Sequence, residues 1–205
     1  MKNFVVSAAL AFGLATSAAA LPITVSGVGI TTDSGSPDGL AVETDTLIST
    51  PYFVADLAVG QSAQFDLFDI WTNQATSDGS DGTIEVEIAL AGLGSGSTMG
   101  LTFEDAAFGS NQGVLDFSGS ETFSIFYGTG VPGRIDVTLN GGTFNFTPCG
   151  VGEVFCDLEP GRDGAYSVTA TIAHVYDPSP VPAPGPLALL GLGLAGLGLR
   201  RRRAA

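Results

Sequence analysis

Apolar and polar residues alternate with a period of two through most of this chain, the pattern of a strand with one buried face. GTIEVEIAL sets Ile84, Val86, Ile88 and Leu90 on one side and Glu85 and Glu87 on the other. RIDVTLN sets Ile135, Val137 and Leu139 against Arg134, Asp136 and Thr138. AYSVTATIAHV sets Tyr166, Val168, Ala170 and Ile172 against Ser167, Thr169 and Thr171. ITVSGVGI, LAVGQSAQFDLFDIW, STMGLTFED, GVLDFSG, ETFSIFY and GTFNFTP are further strand candidates. Between them lie clusters of Gly, Asp, Ser and Asn that predict turns: DSGSPDG, TSDGSDG, GLGSGS, GTGVPG, NGG and EPGRDG. No stretch of the body carries a long helical stripe. About nine short antiparallel strands with frequent turns predict an all-β domain, a β-sandwich or jelly-roll-like arrangement.

The two ends break the alternation. MKNFVVSAALAFGLATSAAA has a basic residue at Lys2, an apolar stretch from Phe4 to Ala15, and small residues at Ala18 and Ala20. This is the layout of a secretory signal peptide, residues 1–20, with cleavage after Ala20. The β domain is then expected over 21–176. DPSPVPAPGP, residues 177–186, has five prolines in ten residues and reads as a stiff extended linker. Residues 187–199 are Leu, Gly and Ala only, and 200–205 form a basic end with Arg200, Arg201, Arg202 and Arg203. A helix over those thirteen apolar residues spans about 20 Å, short of the roughly 30 Å hydrocarbon core, so it predicts a short and weakly held membrane span. Positive-inside bias puts the arginines in the cytoplasm and the body outside, in agreement with export from the other end.

Without its ends the chain is strongly acidic. Between residues 21 and 180 there are 21 Asp and Glu against Arg134 and Arg162 alone, a net charge of −19. Nucleic acid requires clustered cations, so DNA and RNA are excluded as partners. The two cysteines, Cys149 and Cys156, stand seven positions apart, and in an exported chain that spacing predicts a local disulfide. Zinc would need four ligands, and His174 is the single histidine.

The order of the last segments is itself informative: Val181-Pro182-Ala183-Pro184-Gly185-Pro186, then LALLGLGLAGLGL, then four arginines. This tail resembles the PEP-CTERM family of bacterial exosortase substrates, in which Val-Pro-Glu-Pro precedes a Leu/Gly-rich span and an arginine cluster. Ala183 stands where that family usually has Glu, which brings the motif near the related VPLPA-type signal. The resemblance implies a Gram-negative host, passage through the Sec export machinery, and a transient inner-membrane stage with the body in the periplasm. It further implies cutting near residues 181–186 by an exosortase-like enzyme, and final delivery to the cell surface or extracellular matrix. It covers the tail only, so no activity of the body transfers with it.

Motifs in the body point to structure more than to chemistry. Gly128, Gly130 and Gly133, and again Gly191, Gly193 and Gly196, match G-x-G-x-x-G, but neither set lies between a strand and a helix as a dinucleotide site demands. The first set predicts a hairpin loop. Gly60-Gln61-Ser62-Ala63-Gln64 lacks the second glycine of a nucleophile elbow. His174 falls on the inward parity of a strand end and predicts a capped, half-buried histidine. Asp66 with Asp69, and Glu85 with Glu87, are carboxylate pairs on strand faces and do not predict a glycosidase cleft. Asp78-Gly79-Ser80-Asp81-Gly82 predicts an Asp-Gly hairpin turn, and its two carboxylates make calcium at Asp78 and Asp81 the alternative use. No other cofactor is expected. Asn145-Phe146-Thr147 is a formal glycosylation sequon. The expectation is a non-enzymatic structural or adhesive surface protein, and the resemblance of the tail implies association with exopolysaccharide and biofilm. A carbohydrate-binding module using Trp71, Tyr52 and Tyr127 is the alternative.

Overall fold

The computed structural model describes residues 20–35, 39–77, 79–107, 109–119, 121–151, 153 and 156–178. The signal segment with Ala18, the carboxylate of Asp78, and the whole tail (Val181 to Pro186, the apolar run, Arg200 to Arg203) lie outside them. Ala20 is the first described residue and is exposed.

The body is an all-β sandwich of two antiparallel sheets. Its strands are β1 (Leu21–Asp33), β2 (Glu43–Thr46), β3 (Tyr52–Leu57), β4 (Ser62–Trp71), β5 (Gly82–Leu90), β6 (Gly94–Ala107), β7 (Ser110–Asp116), β8 (Thr122–Tyr127), β9 (Gly133–Leu139), β10 (Gly142–Pro148) and β11 (Tyr166–Tyr176). One sheet runs β10-β7-β6-β5-β1-β3 and the other β2-β4-β11-β9-β8. A 3-10 turn, Arg162–Gly164, precedes β11. β5 with β6, β6 with β7 and β8 with β9 are hairpins of consecutive strands, while pairs such as β1 with β5 and β4 with β11 join distant parts of the chain.

The alternating segments behave as their pattern requires. Ile84, Val86 and Ile88 of β5, Ile135, Val137 and Leu139 of β9, and Val168, Ala170 and Ile172 of β11 are all fully buried between the sheets. Glu85 and Glu87 face outward from β5 and are exposed. Removing this apolar area from water is the dominant favourable term for such a domain, at roughly 25 cal/mol per Å².

Four places differ from the sequence reading. First, the described residues form eleven strands rather than nine, because β2 and β3 add an edge to each sheet. Second, LAVGQSAQFDLFDIW is not one strand: residues 58–61 turn between β3 and β4. Within β4 a register shift opposite Val168 and Thr169 lets both Leu67 and Phe68 point inward. A bulge of this kind inserts one extra residue and re-aims the side chains beyond it. Third, GLGSGS is mostly strand, since β6 begins at Gly94. Its glycines face inward beneath aromatic rings: a Cβ on Gly96 would meet Phe123, one on Gly100 would meet Phe117, and Gly113 of β7 lies under Phe144 in the same way. Fourth, the acidic turn before Gly82 is no hairpin. Residues 72–81 cross from β4 in one sheet to β5 in the other.

The loop predicted over Gly128 to Gly133 is indeed the β8–β9 hairpin connection, with Gly128 and Gly130 at φ 82° and 92°. Those left-handed values are what glycine adopts without penalty.

Candidate functional site

The strands sort the connections into two poles of unlike chemistry. β11 ends at Tyr176, beside the starts of β4 and β9 and the end of β8. Leu21 of β1 pairs with Leu57 of β3 at the same pole, so both ends of the body emerge together. The opposite pole holds the connections around Asp33, Gly82, Trp71, Pro148 and Tyr166.

At the exit pole, the single histidine is built into the core. His174 has no exposed surface, so it is buried outright rather than half-buried. Its Nδ1 lies 2.9 Å from the Leu57 carbonyl oxygen, which only accepts, so Nδ1 carries a proton. Nε2 is 2.8 Å from the Tyr127 hydroxyl and 3.2 Å from Asp177 Oδ1. In the neutral ring the Tyr127 O–H donates to Nε2; in the charged ring Nε2–H donates to Asp177. Tyr127 also reaches Asp177 Oδ1 at 3.3 Å. Burial, and then the negative charge of Asp177, push the Tyr127 phenol up to about 12. Pro178 continues over Gly128 and Gly133, close enough that a Cβ on either glycine would strike its ring. The last described residues are thus held against the hairpin and do not swing free of it.

At the other pole, the candidate residues are tied to one another. Arg162 Nη2 lies 2.7 Å from Asp45 Oδ2 and 3.2 Å from Asp69 Oδ2, and its guanidinium sits 5.1 Å over the Trp71 ring. Ser167 Oγ donates to the other Asp69 oxygen at 2.6 Å. One face of Trp71 is therefore covered by a cation. Tyr52 packs against Phe65 in a tilted pair with centroids 5.5 Å apart, and Tyr127 is 9% exposed. The three aromatics proposed as a sugar platform occupy three separate settings. Among the described residues the exposed rings are instead Phe53, Phe126, Phe146 and Tyr176.

Asp81 is exposed in the crossover, two residues after Gly79 at φ 78°. The carboxylate nearest the chain leading into this turn is Glu104. Its Oε2 accepts from the Ser77 N–H at 2.8 Å and hydroxyl at 2.7 Å, and its Oε1 from Asn111 Nδ2 at 2.6 Å. Glu104 fastens the crossover to β6 and β7. Among the described residues no group of three His, Cys, Asp or Glu is placed to share a metal ion.

Cys149 and Cys156 are joined in a disulfide with Cα atoms 5.3 Å apart. Close by, Asn145 is 1% exposed, so the sequon carries no accessible acceptor. Its Nδ2 donates to the carbonyls of Glu159 at 2.6 Å and Gly161 at 2.7 Å, and its Oδ1 accepts from Thr72 N–H at 2.8 Å. Asn145 and Asn111 bracket the long β10–β11 connection onto the sandwich, Asn111 through the Cys156 carbonyl at 2.8 Å. No sequence signal announces either role, because the partners lie far away along the chain.

No curated protein and no solved structure matches the chain. Residues 180–203 match the family model described as the PEP-CTERM protein-sorting motif. That motif implies export, a membrane-anchored sorting stage and processing by an exosortase. The tail that succeeds this β-sandwich is a PEP-CTERM protein-sorting motif.

Proposed function

We propose that the chain is a structural or adhesive protein of the cell surface or extracellular matrix of a Gram-negative bacterium, acting alongside exopolysaccharide in a biofilm. The body is carried out by the Sec machinery and held briefly at the inner membrane in the periplasm. It is then released by cutting within Val181 to Pro186. The observation that carries this reading is the sorting motif at 180–203 joined to a body of net charge −19. Supporting it, the groups that would first be asked to do chemistry are spent on the fold. Both ring nitrogens of His174 are bonded inside the core, and Asp69 is shared by Arg162 and Ser167. A dense negative shell keeps such a body soluble and apart from its neighbours until a counter-ion or matrix polymer bridges them.

Intact-mass measurement of protein extracted from the cell surface tests the sorting step. The expected mass lacks residues 187–205. A mass that includes them would defeat the reading, because an uncut tail is an anchor.

A further inference from the structure

The exit pole is free of charge in its connections, and the opposite pole is not. The β3–β4 turn (58–61, AVGQ), the β5–β6 turn (91–93, AGL) and the β8–β9 loop (128–132, GTGVP) contain no Asp, Glu, Lys or Arg. Connections at the far pole carry Asp81, Glu153, Asp157, Glu159 and Asp163 against Arg162. The exit pole also exposes apolar side chains where a charged body would be expected to hide them. Val59 is 42% exposed at one turn tip and Val131 58% at another. Phe126 and Tyr176, 56% and 38% exposed, flank Arg134 on β8 and β11. The charges nearest the pole are few: Arg134 forms a two-point pair with Asp136, Asp177 lies 3.3 Å from the Tyr127 hydroxyl with its carboxylate half exposed, and Asp56 on β3 is exposed.

We propose that this pole is a membrane-docking surface that rests on the lipid–water interface during sorting. The proposal rests on the reading of the tail as membrane-inserted before cutting. Covalent geometry then limits the separation. The eight residues 179–186 between Pro178 and the apolar run reach at most about 29 Å when fully extended. The pole that gives rise to the tail is thereby held within that distance of the bilayer, so a weak interfacial affinity acts at high effective concentration. Phe and Tyr are residue types that partition into the interface, and binding there scales with the apolar area presented, to which Val59 and Val131 add. Elsewhere the acidic body is repelled by anionic headgroups, which favours approach by the pole whose connections carry no charge. The sandwich stands upright, with its acidic pole pointing away from the bilayer.

The test uses the full chain reconstituted into vesicles of phosphatidylethanolamine and phosphatidylglycerol, with no processing enzyme present. Single cysteines at Val59→Cys, Val131→Cys and, as the far-pole control, Asp163→Cys carry an environment-sensitive fluorophore; the native cysteines are paired and do not react. The expected result is blue-shifted emission from positions 59 and 131, quenched several-fold more strongly by nitroxide lipid than emission from 163. Adding Val131→Asp should relieve quenching at position 59. Water-like emission from all three positions in chains that sediment with the vesicles would overturn the docking surface while leaving the tail reading intact. Chains that fail to sediment would overturn both. A blue shift without lipid quenching would assign the surface to protein–protein contact and overturn the lipid partner.

Discussion

Single residues hold the poles of this sandwich together, and two of them make sharp predictions. Asn145 adopts φ 49°, a left-handed value that asparagine tolerates better than most residues, and satisfies one buried N–H and two part-buried carbonyls at once. Asn145→Ala strands the Thr72 N–H and two carbonyls and adds backbone strain. The expected loss is about 2–4 kcal/mol of unfolding free energy, read from urea denaturation of the exported protein. Tyr127 gives a pH signature. Its phenol titrates near 12 in the folded protein against an ordinary value near 10, so the fold favours the protonated form. That contribution is fully present below pH 10 and is lost as pH rises from about 10 through 12. Stability measured across that window should fall, and Tyr127→Phe should flatten the fall; an unchanged slope in the variant would reject the assignment. His174 was legible as inward-facing from its parity in β11, but its partners were not. Leu57 lies 117 positions away and Tyr127 lies 47, and no local pattern encodes such meetings.

At the scale of elements, legibility followed how strictly a strand alternates. β5, β9 and β11 each bury a regular apolar row, so their pattern and their structure coincide. β4 departs from alternation because its bulge buries Leu67 and Phe68 in succession. β2 reads Glu-Thr-Asp-Thr and survives as a strand only by pairing with β4, so composition alone could not reveal it. β6 hides for the opposite reason: its glycines look like turn residues, yet they make room for Phe123 of the facing sheet and for Phe117, just past the neighbouring β7. A larger side chain there has nowhere to go. Gly100→Val should lower stability by about 1–3 kcal/mol through overpacking against Phe117, measured by thermal or chemical unfolding. A neutral result would mean that Phe117 has an alternative rotamer that costs nothing.

For the whole molecule, the division of labour runs between tail and body. The three-part order of the tail was readable because motif, apolar run and arginines are contiguous, whereas the body's polarity from pole to pole appears only when the strands are laid side by side. Truncation before Pro180 should leave a folded, exported protein that is missing from the cell surface, seen by fractionation and immunoblotting. Replacing Arg200 to Arg203 with serine should leave unprocessed chains to accumulate, since the basic stop that holds the short span in place would be gone.

The strand that leads into the tail is β11, and it lies in the middle of its sheet, bonded to β4 on one side and β9 on the other. While the tail is fixed, any drag on the body is transmitted along the axis of that strand. Its hydrogen bonds to two neighbours are then loaded together in shear and share the force. A terminal strand at a sheet edge would instead peel away from a single neighbour. The tether is attached where the sandwich can bear mechanical tension.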